Sequence, residues 1–183
     1  MQVIELLRTL RAVRRFAAQP IPDAVLHDLL EVARWTGSAK NTQPWELVVI
    51  TDRQLLVQLA RFGQYAGHLA GAPLAIALLM DHATQVFDAG RLAQNIMVAA
   101  WAHGVGSCIA SLFPDENERQ AKALLGIPAE RSMQTAISLG YPADPAALRL
   151  HSAPPGTRAT VPTGRKALDE MVSWEHYGRR MRT

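Results

Sequence analysis

The stretch from Leu74 to Leu112 does most to limit how this chain can fold. Leu74-Ala75-Ile76-Ala77-Leu78-Leu79-Met80 is an unbroken apolar run of strand length. A run that short, without alternation, reads as a strand buried on both faces. A helical pattern then extends from about Thr84 to His103, with Ala89, Leu92, Ala93, Ile96, Met97 and Ala100 along one face. From Ile96 to Ala102 it is apolar nearly all round, which calls for burial by a core or by a partner subunit. Gly104 and Gly106 end the pattern, and Ser107 to Leu112 reads as another strand. A chain that passes from buried strand to enclosed helix to strand has to build its layers around that helix.

The rest supplies the layers. Val3, Leu6, Leu7 and Leu10 recur at helical spacing, with Arg8, Arg11 and Arg15 on another face if the helix continues that far. Asp23 is placed to cap a helix carrying Leu26, Leu29, Leu30 and Ala33. Leu47 to Ile50 reads as a buried strand, and Asp52 as the cap of a short helix with Leu55, Leu59 and Phe62. Pro114 to Leu125 reads as a surface helix with acidic residues first and Lys122 last, the order its dipole favours. Met133 to Leu139 is a fourth strand, and Ala167 to Tyr177 reads as a terminal helix. No domain boundary is evident, so 1–183 reads as one domain. Residues 142–164 hold five of the eleven prolines and little periodicity, which predicts an extended arm lying on a partner subunit. Strands alternating with helices suggest a parallel α/β sheet, although alternation does not settle strand order.

Four stretches carry candidate chemistry. Gly37-Ser38-Ala39-Lys40-Asn41-Thr42-Gln43-Pro44-Trp45 leads from a helix into a Val/Ile strand. Its amides donate and accept at once, which suits a heteroaromatic ring with mixed edges, although an ordinary connection has the same composition. Arg8, Arg11, Arg14 and Arg15 offer an anion site or a solvated face. Gly104 to Leu112 is a glycine turn into a strand. Gly164-Arg165-Lys166 puts basic residues before the last helical pattern, where its dipole would not favour them.

Together and in this order, these stretches resemble the nitroreductase family. Ser38-x-x-Asn41-x-Gln43-Pro44-Trp45 is similar to its flavin-binding loop, and Arg11-Ala12-Val13-Arg14-Arg15-Phe16 to its amino-terminal phosphate-binding element. The chain departs from the family at Leu10, where arginine is common, and at Ala12, where serine is common. Arg11 or Arg14 is then left to hold the phosphate. Thr36-Gly37 replaces a frequent Ala-Pro, which predicts a looser start to the loop.

The resemblance implies an α+β fold: a central mixed, mostly antiparallel sheet surrounded by helices, with a long central helix, in a domain-intertwined homodimer. It implies FMN held by Arg11, Ala12, Val13, Arg14, Ser38, Asn41, Gln43, Ser111, Leu112 and Arg165. Backbone N–H groups near Ser111 and Leu112 would face the flavin edge. It further implies electron transfer from NADH or NADPH through FMN to a nitroaromatic, a quinone or another small organic acceptor, by a ping-pong mechanism. The flavin N5 would carry the chemistry, with no catalytic side chain. Reductive dehalogenation, flavin fragmentation and a non-catalytic FMN-binding module are the rival readings.

Other classes lose ground. A net charge of +3 is mild, and no helix-turn-helix, zinc or stacking motif points to nucleic acid. The six histidines show no metal spacing, and Cys108, the one cysteine, reads as core. No apolar run is long enough for a membrane span. Cytoplasm is the default expectation.

Overall fold

Four strands make the centre of the fold: β1 (Trp45–Ile50), β2 (Leu74–Met80), β3 (Gly106–Ser111) and β4 (Ser132–Gly140). Their order is β1-β2-β4-β3, and every neighbouring pair is antiparallel. In this computed structural model, residues 3–144 and 165–180 are described; residues up to Asp144 form one unit, and the described residues beyond it belong to a second. The parallel α/β sheet suggested by alternation does not form, and the α+β reading holds. The helices are α1 (Val3–Thr9), α2 (Asp23–Arg34), α3 (Arg53–Leu59), α4 (Val86–Ala102) and α5 (Asp115–Leu125), with a last turn, α6 (Leu168–Met171), in the second unit.

Alternation misleads because a helix followed by a return loop brings the chain back to the end it left. After α5, Gly126 takes a left-handed conformation (φ 68°) and Ile127 N donates to the Lys122 carbonyl. Lys122 Nζ then binds the carbonyls of Ala129 and Arg131 at 2.8 and 2.7 Å. The buried Glu118 carboxylate accepts from Ser132 Oγ and from Met133 N at 2.7 Å. This fastened return starts β4 antiparallel to β3. Beside it, Arg131 Nη1 joins three strand ends by pairing with Asp81 at 2.7 Å and Glu46 at 3.2 Å.

Strand β2 is buried at every position, as its composition requires. Leu74, Ile76 and Leu78 pack with Leu29 of α2 and with Leu92, Ile96 and Ala100 of α4. Ala75, Ala77 and Leu79 face Leu56 and Leu59 of α3, Leu69, Leu112 and Ala121. Small residues on the second face let α3 and α5 approach closely. Leu92 and Ile96 are fully buried; truncating either to Ala would cost about 2–5 kcal/mol.

Several local expectations change. Helix α1 stops at Thr9, so Arg11, Arg14 and Arg15 do not share a helical face. Pro22 is the residue before α2, and Asp23 begins the helix without capping it. Asp52 does cap α3, accepting from Gln54 N and Leu55 N. Strand β1 is an edge strand of mixed burial, not a buried one. The terminal helix over 167–177 is one turn long; beyond it Ser173 bridges Arg180 across a tight turn in which Glu175 and Gly178 have positive φ. The expected arm lies outside the described residues between 145 and 164.

Candidate functional site

The arginine segment is held by backbone. Ala12 makes a parallel bridge to Ser107, and Val13 N donates to the Ser107 carbonyl at 2.9 Å. Further on, Phe16 bridges Pro142 antiparallel, and Ala17 N donates to the Tyr141 carbonyl at 2.8 Å. The segment thus crosses the end of the β3–β4 ladder. Two glycines paired there, Gly106 and Gly140, make the seat. A Cβ on Gly106 would lie 2.6 Å from Val13 Cγ2, and one on Gly140 2.9 Å from Phe16 Cδ1. Val13 is buried, while Ala12 and Arg14 are exposed.

The arginines are not equivalent. Arg11 turns back on α1, donating from Nη1 to the carbonyls of Arg8 and Leu10 at 3.0 and 2.9 Å. That is a C-terminal cap, favourable with the helix dipole. Among the described residues Arg14 has no carboxylate within ion-pair distance. Of the two candidates left by Leu10 and Ala12, Arg14 has its charge available to an external anion.

Next to that segment runs the open edge of β3. Leu112 N donates to the Gln134 carbonyl at 3.0 Å, so the donor expected from Leu112 is committed to the sheet. In an antiparallel ladder, successive residues alternate between facing the partner strand and facing away. Cys108, Ala110 and Leu112 face β4, so the backbone groups of Ile109 and Ser111 point to the free edge. Ser111, not Leu112, is the outward donor. Gly63 closes on this end of β3: a Cβ there would lie 2.3 Å from the Ser111 carbonyl oxygen.

Beneath the edge is a polar cluster that no sequence pattern marked. His68 Nδ1 lies 2.8 Å from Ser138 Oγ, whose proton goes to the Cys108 carbonyl at 3.2 Å. The Ser138 hydroxyl thus links the imidazole to the β3 backbone. Burial pushes the His68 pKa down; the Ile109 carbonyl opposes this and the Arg14 charge adds to it. Burial pushes the Cys108 thiol up, against the Arg14 guanidinium beside it. Cys108 is therefore an inert core thiol, as its surroundings in the sequence suggest. His68 Nε2 and Ser107 Oγ are buried without partners.

The amide loop is built differently. Lys40, Asn41 and Gln43 all have positive φ (53°, 55° and 48°), a region in which non-glycine side chains are strained. Inside the loop, Ser38 Oγ accepts from Gln43 N at 2.8 Å, and Gln43 Nε2 reaches the Asn41 carbonyl at 3.3 Å. Asn41 and Gln43 are exposed and Ser38 half-buried. The start is not loose. Thr36 is buried and accepts from Asn95 Nδ2 at 2.9 Å, and Gly37 lies against the Arg91 guanidinium. Neither α4 residue carried a signal in the sequence, because their partners lie more than fifty residues away.

Arg165 is exposed and lies in the second unit. Among the described residues no group of three metal-ligating side chains gathers, and no helix is long and apolar enough to cross a membrane.

Comparisons with known proteins point one way. The model of the nitroreductase family matches residues 7–76 and 63–141. An Archaeoglobus fulgidus protein, provisionally named an NADH dehydrogenase/NAD(P)H nitroreductase, is 30% identical over 151 residues covering 78% of this chain and 87% of that protein. The structure of an FMN-dependent nitroreductase from Clostridium difficile superposes with a TM-score of 0.72 at 26% identity, covering 77% of this chain and 88% of that one. A Parabacteroides distasonis structure, at 19% identity, shares the fold over 97% of this chain and 99% of its own, with a TM-score of 0.80.

Proposed function

The chain belongs to the nitroreductase family, and on that premise we propose that it is an FMN-dependent oxidoreductase passing electrons from NADH or NADPH to a small organic acceptor, a nitroaromatic or a quinone. One observation carries the reading most. The pairing of Ala12 and Val13 with Ser107 sets an uncompensated Arg14 beside the strand edge on which Ser111 N–H points outward.

The residues fit the cofactor's chemistry. A phosphate needs a guanidinium without a carboxylate partner, and among the described residues Arg14 is one. The heteroaromatic ring needs donors and acceptors on one edge, which Ser111 N–H and the amides of Asn41 and Gln43 offer, with Ser38 holding the loop closed. When bound, FMN would supply the redox chemistry at its N5. The chain's part is to bind, orient and stabilise charge: a strand-edge N–H and an amide are fixed dipoles that need no reorganisation as charge develops. No dinucleotide fingerprint occurs in the chain, so donor and acceptor would use one pocket in turn, giving ping-pong kinetics.

The same reading takes the active form as a homodimer. Val3, Ile4 and Leu7 of α1, Val86 and Phe87 of α4, and Ile109 on the β3 edge are large apolar side chains exposed on one subunit. Their number favours a covered face.

The test is direct. The purified protein should be yellow, release a chromophore with the mass of FMN, and oxidise NADH or NADPH with a quinone, giving parallel double-reciprocal lines. A protein that binds no FMN, or converging lines with a measurable ternary complex, would overturn the cofactor or the shared pocket respectively. A monomer in sedimentation equilibrium at micromolar concentration would overturn the dimer.

A further inference from the structure

Helix α4 carries two polar side chains that the proposed function does not use, and each ends on a threonine hydroxyl. Asn95 Nδ2 donates to Thr36 Oγ1 at 2.9 Å, and Trp101 Nε1 donates to Thr9 Oγ1 at 3.1 Å. The acceptors are remote in sequence from their donors, by 59 and 92 residues. Both sit where a segment of the proposed site begins. Thr9 is the last residue of α1, two before Arg11; Thr36 follows α2, two before Ser38.

The hold on the amide loop is double. Arg91 lies one helical turn before Asn95, so both are on one face of α4. Asn95 grips Thr36, while the Arg91 guanidinium covers Gly37, with Nη2 2.9 Å from where a Cβ would stand. Two consecutive loop residues are thus fixed by two consecutive turns of the longest helix. Thr36 is only 3% exposed, so its hydroxyl needs a partner in place of water. A valine would fill the same space without that requirement. A polar contact kept where an apolar one would fit fixes orientation rather than adding burial. Downstream of the grip come the strained residues Lys40, Asn41 and Gln43. Such conformations persist only where the surroundings over-determine them.

We propose that Asn95 and Trp101 are positioning residues: Asn95 aims the amide loop through Thr36, and Trp101 aims the arginine segment through Thr9, so that one rigid helix sets both parts of the cofactor site. They lie six residues apart, about 9 Å along the axis, and neither is among the residues proposed to hold the cofactor. The inference rests on the FMN reading above.

The experiment measures FMN affinity of the full-length protein by fluorescence quenching, beside the melting temperature of its apo form. Thr36→Val should weaken FMN binding about fivefold, the ratio matching one net hydrogen bond, and Thr36→Ser should restore it. Asn95→Leu should weaken FMN binding in the same direction, and the double variant should lose less than the sum of the two, because both remove the Asn95–Thr36 bond, while Thr36→Val also gives up the longer contact to the Val32 carbonyl. Trp101→Phe and Thr9→Val should likewise combine to less than the sum of their losses, with Thr9→Val the larger because its hydroxyl also donates to the Glu5 carbonyl at 2.7 Å. Lower melting temperatures with unchanged FMN affinity would overturn the positioning role and leave the functional reading standing. Additive losses in the double variants would also overturn it. Wild-type protein that does not bind FMN would overturn the functional reading and this inference together.

Discussion

The arginine segment and the amide loop are both polar stretches that follow a helix, yet they are held by opposite means. Residues 12–17 are held by backbone: bridges to Ser107 and Pro142, over a floor of two glycines that leaves no room for a side chain. Val13 is buried on that floor, while Ala12, Arg14 and Arg15 are exposed. Residues 36–43 are held by side chains, Thr36 on Asn95 at the start and Ser38 on the Gln43 backbone across the loop. Their backbone stores strain at Lys40, Asn41 and Gln43. A segment carried on a sheet tolerates loss of its side chains and fails when its floor is raised. A self-braced loop should do the reverse.

The largest expected effect follows from the floor. Gly106→Ala places a Cβ 2.6 Å from Val13 Cγ2 and within 3 Å of two more Val13 atoms, all on a buried side chain. Overpacking of that kind costs about 1–3 kcal/mol. Chemical denaturation should show it, with FMN binding weakened as Val13 and Arg14 move together. Gly37→Ala is the counterpart in the loop, where the neighbour is the far end of the flexible Arg91 side chain and can yield. Equal losses from the two substitutions would break the comparison.

Next come the side chains. Arg14→Ala should weaken FMN binding about tenfold, since a charge-assisted bond contributes about 1.5–3 kcal/mol, and the loss should shrink at high salt. Asn41→Ala removes neutral bonds only, so about threefold is expected. Fluorescence titration in two salt concentrations ranks them, and a larger loss at Asn41 would show that the ring edge, not the phosphate, dominates affinity.

Acid should distinguish the regions too. His68 sits under the arginine segment with its pKa pushed down by burial. As pH falls, the unfolded chain takes up the proton first, near the ordinary value of 6.5, and the folded form only lower. Stability from this group is complete above about 6.5 and is lost as pH falls towards the folded value. The exposed carboxylates Glu31 and Glu116, bonded to Arg34 and to Gln120 and Arg119, have pKa values below 4.5, so their losses come at more acid pH. Between pH 7 and 5 the melting temperature should fall, and His68→Gln should flatten that fall. An unchanged slope in the variant would mean that His68 is not the group being charged.

What could be read from the sequence divides along the same line. The apolar run of β2, the face of α4, the Asp52 cap and the turn at Gly126 are local, and each stands where periodicity and turn chemistry put it. Strand direction was not local: it depends on Glu118 and Lys122 fastening the return to β4. The site motifs were legible as residue types, but their availability was not. Arg11 is spent on α1 because α1 stops at Thr9, and Leu112 N–H is spent on Gln134 because of ladder phase. His68, Asn95 and Trp101 gave no signal, since a single polar residue on an apolar pattern does not reveal a partner across the fold.

The smallest expected effect tests the strain directly. Lys40 is exposed at φ 53°, ψ 18°, and its side chain has no bond among the described contacts that would compensate. A left-handed conformation costs an L-residue about 1–2 kcal/mol, which glycine does not incur. Glycine also loses more conformational freedom on folding, and that offsets roughly half the gain. Lys40→Gly should therefore raise stability by about 0.5–1 kcal/mol, read as a higher denaturation midpoint at constant slope. Because Asn95, Thr36 and Ser38 would still define the loop's path, FMN affinity should stay within about twofold. If stability falls instead, Lys40 makes a contact that outweighs the strain. If stability rises while affinity drops well beyond twofold, the loop is shaped by its own stiffness and not by its braces, and the contrast with the arginine segment fails at that point.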